Sequence, residues 1–171
     1  MFKVEGPFEM KCHKGPGGRV VRAEEGREFF ERHKAYARRR GCYVFAIRAG
    51  GKGGGSLTPW YVGKATKSFE QECFADHKLN KYNECLIRYA KGTPVLFLVA
   101  APHGKGKPPG AIIGRLESFL IQTAMSQSGD VLNVKGTKAP RWAIDQVTET
   151  RKGKVSKAAK QFRYAMGLEP R

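Results

Sequence analysis

The run Gly41-Cys42-Tyr43-Val44-Phe45-Ala46-Ile47 and, after a glycine-rich interval, the run Trp60-Tyr61-Val62-Gly63-Lys64-Ala65 decide how this chain is read. Tyr43 to Ile47 is aromatic, branched and apolar, as a strand should be. Trp60 to Val62 repeats that character. Between them stand Gly50, Gly51, Gly53, Gly54 and Gly55, residues that cannot hold a regular element cheaply. The stretch therefore predicts a β-hairpin with one tyrosine on each strand, Tyr43 and Tyr61. Gly63 follows at once, where a side chain would obstruct a close backbone approach.

Toward the C-terminus, Thr66 or Ser68 can cap a helix running to about Lys78. Phe69, Cys73 and His77 would share one face of it, spaced i, i+4, i+8. Asn80 to Gly92 predicts a second helix with Tyr82, Leu86 and Tyr89 or Ala90 turned inward. Pro94 to Ala101 is continuously apolar, the pattern of a central strand buried on both faces. His103 to Gly110 is a basic loop. Ala111 to Met125 is the strongest helix, and Glu117 lies in its apolar stripe beside Ile113, Leu120 and Ile121. A carboxylate there is costly unless positive charge meets it. A hard divalent cation, Mg²⁺ or Mn²⁺, would do so with water; a salt bridge to Arg115 or a distant lysine is the alternative. Gly129 to Asn133 reads as a turn.

Toward the N-terminus, Met1–Val4 and Arg19–Arg22 are strand-like, with a basic turn over Lys14–Gly18. Residues 23–40 form a helix with acids early and Arg38, Arg39 and Arg40 at its end, which suits the helix dipole. The tail, 135–171, carries ten Lys and Arg against three Asp and Glu. After Ser156 it predicts a basic amphipathic helix that packs Val155, Ala159, Phe162 and Met166 and leaves its lysines outward.

Composition narrows the partner. The 171 residues hold 32 Lys and Arg against 15 Asp and Glu, a net +17. Such an excess attracts polyanions, and nucleic acid is the commonest in a cell. No window approaches a membrane span, and the first residues lack a signal layout, so a soluble, cytoplasmic protein is expected. Cys12, Cys42, Cys73 and Cys85 form no CxxC pair, which disfavours zinc and predicts free thiols. His13 beside Cys12 is the weak exception.

The triplets Gly41-Cys42-Tyr43 and Tyr61-Val62-Gly63, with Glu117 inside an apolar helix and Asn133 after it, resemble the GIY-YIG nuclease family over about residues 41 to 133. The resemblance implies an α+β fold: a small, mainly antiparallel sheet flanked by helices. Residues 41–134 would form the core, with 1–40 and 135–171 as basic extensions of one domain. It implies a metal-dependent endonuclease with DNA as the favoured substrate. Tyr43 and Tyr61 would activate water and position the phosphate, Tyr43 being the favoured base. Glu117 would be the metal ligand and Asn133 would orient the site. Gly63, Lys64, Lys67, Lys81 and Asn133 would line the substrate.

The chain departs from the family at the arginine expected on the next helix, where Gln71 or Glu72 stands. Lys64, Lys67, His77, Lys78 and Lys81 are the replacements, with His77 or Lys78 favoured. An ammonium is a point donor without arginine's planar fork. The competing expectation is a non-catalytic DNA- or RNA-binding module that keeps the fold.

Overall fold

Strand β4 (Gly41–Arg48) pairs antiparallel with β5 (Leu57–Ala65), as the hairpin reading requires. The computed structural model describes residues 1–50, 55–89, 91–102, 110–133, 144–147 and 155–168. Most of the glycine loop, the basic loop 103–109 and much of the tail after Asn133 lie outside the described residues. Upstream are β1 (Lys3–Glu9), the short hairpin β2 (His13–Gly15) and β3 (Gly18–Val20), α1 (Ala23–Arg32) and α2 (Lys34–Ala37). Downstream follow α3 (Phe69–Glu72), α4 (Asp76–Arg88), β6 (Thr93–Ala100), α5 (Gly110–Gln127) and α6 (Lys157–Ala165).

The fold is α+β, as expected. Its main sheet is antiparallel with strand order β1-β6-β4-β5. Helices cover both faces, which is why β4 and β6 read as unbroken apolar runs. Alternation along β4 sorts its side chains. Cys42, Val44 and Ala46 face a core made with α5 and α6. Tyr43, Phe45 and Ile47 face a second core made with α1 to α4. Residues 1–40, expected as an extension, supply β1 to the sheet and Phe29 and Phe30 to the second core. In the tail, Phe162 meets Phe97 edge-to-face at 5.4 Å.

Three local features depart from the periodicity. The register slips between Phe45 and Ala46, which face Tyr61 and Pro59, so Trp60 is an extra residue. A bulge of this kind turns neighbouring side chains to one face, and Trp60 and Tyr61 both enter the second core. The helix expected over 23–40 is divided at His33, whose φ −124 and ψ 44 leave the helical region. The helix expected from Ser68 to Lys78 ends after α3, because Ala75 is extended at ψ 148 and α4 starts afresh at Asp76. Ser68 does cap α3, accepting from Gln71 N at 3.2 Å. Among the described residues no helix is long and apolar enough to cross a membrane.

Gly63 sits directly across from Tyr43. A Cβ built there would lie 2.3 Å from Tyr43 Cζ, so the ring fills the space a side chain would need. Gly114 on α5 is the contrast, since a Cβ there meets nothing within 4 Å. Chemical denaturation should therefore give opposite signs for the same substitution. Gly63→Ala should lose about 1–3 kcal/mol by overpacking, whereas Gly114→Ala should gain about 0.5–1 kcal/mol from helix propensity.

Candidate active site at the outer strand

β5 is the outer strand of the sheet, and the expected site residues are distributed over its two faces. On the α4 face, Tyr43 is fully buried and its hydroxyl donates to the Glu72 carbonyl at 3.4 Å. Burial pushes its pKa far above that of a free phenol. Tyr43, expected as the favoured base, thus has a disfavoured anion and a hydroxyl turned to a backbone carbonyl. Gly63 likewise packs against the Tyr43 ring and does not line an open surface.

Tyr61 is the tyrosine at the rim. It is 8% exposed, its ring centroid lies 6.4 Å from that of Tyr43, and its hydroxyl accepts from Lys78 Nζ at 2.6 Å. The same ammonium lies 5.1 Å from the Tyr61 ring centroid, a cation–π contact. Lys78, one of the two cations favoured as a replacement for the arginine, lies in the first turn of α4. His77 is exposed beside it. Lys81 pairs with Glu84 at 3.3 Å. Lys67 keeps an exposed side chain, while its backbone carbonyl accepts from Arg40 Nε at 2.9 Å. Glu72, near the family's arginine position, anchors the loop after β5 by accepting from Lys67 N at 2.5 Å and Thr66 Oγ1 at 3.2 Å.

On the α5 face, Glu117 is 18% exposed and meets Lys64 Nζ at 2.9 Å. The costly carboxylate therefore has its positive partner, a distant lysine. Arg115 is exposed. The pairing follows from alternation, because Lys64 lies two residues beyond the buried Val62 and opposite Cys42 in the register. The hydrogen bond to Glu117 raises the Lys64 pKa. Cys42 lies beneath, its Sγ 3.4 Å from the Ile113 carbonyl. Burial first, then the Glu117 charge, drives its thiol pKa up. A distant lysine was one of the partners expected for Glu117; its identity as Lys64 needed the strand register, and counting alternate residues from Val62 supplies it.

Asn133 works on the strand itself. Its Oδ1 accepts from Val62 N at 2.7 Å and its Nδ2 donates to Val62 O at 2.7 Å. The residue between Tyr61 and Gly63 is thereby fixed at the sheet's outer edge. Asn133 is a positioning residue in this geometry.

The tyrosines and Glu117 consequently do not converge on one face: Tyr43 and Tyr61 enter the second core, and Glu117 lies on the α5 side. They share a margin. Tyr61 to Lys64 spans about 10 Å of strand, with the Tyr61–Lys78 pair on one side and the Lys64–Glu117 pair on the other. Among the described residues no group of three or more His, Cys, Asp and Glu gathers as a metal cage. The donor set fits a hard cation only in the format of one carboxylate, Glu117, completed by water and substrate phosphate. Any such cation competes with the Lys64 ammonium. No protein-family model, curated protein or solved structure matches this chain.

Removing the competitor should be visible without turnover. Mn²⁺ titrations followed by electron paramagnetic resonance should show Lys64→Met tightening the metal by up to about fivefold, since so exposed a pair is worth on the order of 1 kcal/mol. Glu117→Gln should abolish that binding. Equal affinity in wild type and both variants would place the metal elsewhere.

Proposed function

We propose that the chain is a metal-dependent endonuclease that hydrolyses phosphodiester bonds in nucleic acid, with DNA the favoured substrate, in the manner of the GIY-YIG family it resembles. The observation that carries this reading is that one outer strand brings a tyrosine to a lysine of α4 on one face and a lysine to a carboxylate of α5 on the other, Tyr61–Lys78 and Lys64–Glu117. The +17 charge supplies attraction to the polymer.

Hydrolysis requires a water to lose a proton, added negative charge to be stabilised and the leaving oxygen to be helped away. In this reading Tyr61, as its phenolate, would accept the water's proton, and the Lys78 ammonium that bonds its oxygen would steady the anion. Lys64, released from Glu117, can neutralise a phosphate oxygen. His77 and Lys67, both exposed, can meet adjoining phosphates. Glu117 would hold Mg²⁺ or Mn²⁺, which when bound polarises the phosphoryl oxygen and assists the leaving group. Tyr43 shapes the floor beneath Tyr61 and Gly63, and Asn133 holds the strand in register.

A second reading has its own support. Glu117 is already neutralised by Lys64, and Tyr43 is sealed in the core. A non-catalytic nucleic-acid-binding module would have the same features. Cleavage of supercoiled plasmid and several other DNAs, with Mg²⁺ or with EDTA, separates the two. Under the nuclease reading, EDTA stops cutting and Glu117→Gln and Tyr61→Phe each lower the rate by about 10²–10⁴-fold. Tyr43→Phe stays within about tenfold of wild type. Metal-dependent cutting that survives Glu117→Gln would remove the proposed centre. Tight, salt-sensitive binding with no cutting by the wild type would favour the module.

A further inference from the structure

α6 has two faces. Ala159, Phe162, Ala165 and, one residue beyond, Met166 are buried against the sheet. Opposite them lie Lys157, Lys160 and Tyr164, which the helical period of 3.6 gathers into one stripe. Tyr164 is 58% exposed, and it is the single aromatic ring among the large exposed hydrophobics of the described residues. The axial rise sets Lys160 about 4.5 Å from Lys157 and Tyr164 about 6 Å further on.

This stripe is uncompensated. α6 contains no acidic residue. Lys157 and Lys160 have no carboxylate partner among the described residues, as is also true of exposed Lys14, Lys34 and Arg115; what sets this pair apart is the exposed Tyr164 ring on the same stripe. Arg163 on the flank is turned to the Val147 carbonyl at 3.1 Å. Like charges three residues apart oppose helix formation, and a ring that far in water adds little packing. The face is costly to the helix and suited to a polyanion that carries flat apolar groups. In a duplex the base faces are already stacked, whereas an unpaired base offers its face to a side-chain ring.

We infer that the exposed face of α6 binds an unpaired stretch of nucleic acid, with a base stacked on Tyr164 and adjoining phosphates at Lys157 and Lys160. The inference rests on the nucleic-acid reading above and names a feature of the substrate. α6 packs on the same face of the sheet as α5, so a strand held there lies on the Glu117 side.

The test is fluorescence anisotropy of labelled oligothymidylate and of a duplex of equal length, with wild type, Tyr164→Ala, Tyr164→Phe and the double variant Lys157→Gln/Lys160→Gln, across a salt series. All three positions are surface ones, and thermal melts check that the variants fold. Tyr164→Ala should weaken oligothymidylate binding by about 5- to 100-fold, and Tyr164→Phe should retain it. The lysine variant should flatten the dependence of log affinity on log salt by about 1.4. Duplex binding should change little with Tyr164→Ala. Undiminished oligothymidylate binding by Tyr164→Ala, or equal loss for single strand and duplex, would overturn the inference and leave the nucleic-acid reading standing. Failure of the wild type to bind either DNA would overturn that reading, and this inference with it.

Discussion

The ring of Tyr43 resting on Gly63 is the contact on which the candidate site depends. It locks β4 and β5 in one register, because no residue larger than glycine leaves room for the ring. A slip of one residue would exchange the two faces of a strand. It would turn Tyr43, Phe45 and Ile47 toward α5 and bring Cys42 and Val44 under α4. With the register fixed, the rest follows by alternation. Lys64 must face α5, where Glu117 needs a cation. Tyr61, two residues before Gly63 and opposite Phe45, must face α4, where Lys78 reaches its hydroxyl.

An outer strand also presents unpaired backbone groups to solvent. Here amide side chains stand in for missing strands. Asn133 makes both bonds to Val62 that a neighbouring peptide would make, and Leu132 N donates to Trp60 O at 2.9 Å. Asn83 does the same for Val21 beside the small hairpin, accepting from its N at 2.8 Å and donating to its O at 3.2 Å. An amide offers one acceptor and two donors in a plane, which makes it the smallest side chain able to mimic a peptide. At the opposite edge, Asp145 N donates to Phe2 O at 3.0 Å. The sheet ends on defined partners at both margins, and this rigidity lets the Lys64–Glu117 ion pair and the Lys78–Tyr61 hydrogen bond hold fixed places on β5.

The hairpin, the buried central strand and the long helix bearing Glu117 were legible because each rests on a repeating pattern set by burial. What escaped was set by single backbone angles or by contacts far apart in sequence. Nothing in the composition of Cys73-Phe74-Ala75 announces that Ala75 is extended, so one helix was expected where α3 and the start of α4 stand. The bulge at Trp60 is equally silent, and it turns Trp60 to the same face as Tyr61. The cation that meets Glu117 was foreseen as a type of group, because physics demands one. Its identity as Lys64 needed the strand register. Where the Tyr43 hydroxyl lies was not legible either, because a tyrosine in a strand looks the same in sequence whether its hydroxyl reaches water or a buried carbonyl.

The strength of the Glu117–Lys64 pair matters as much as its existence. A fully buried pair would be expensive to open, since each freed charge would remain desolvated. A freely exposed carboxylate would leave its neighbours in place but would bind a cation no better than any surface acid. Lys64 is 45% exposed and Glu117 18%, so the lysine can swing into water at small cost while the carboxylate stays half enclosed by α5. That asymmetry leaves Glu117 available to whatever positive charge outcompetes an ammonium, and it frees Lys64 for an anion at the same moment. On the other face, the Tyr61–Lys78 pair has no carboxylate to satisfy. Set on opposite faces of one outer strand, the two pairs stand about 10 Å apart along it, so a polymer lying across that margin would meet them at different points of its length.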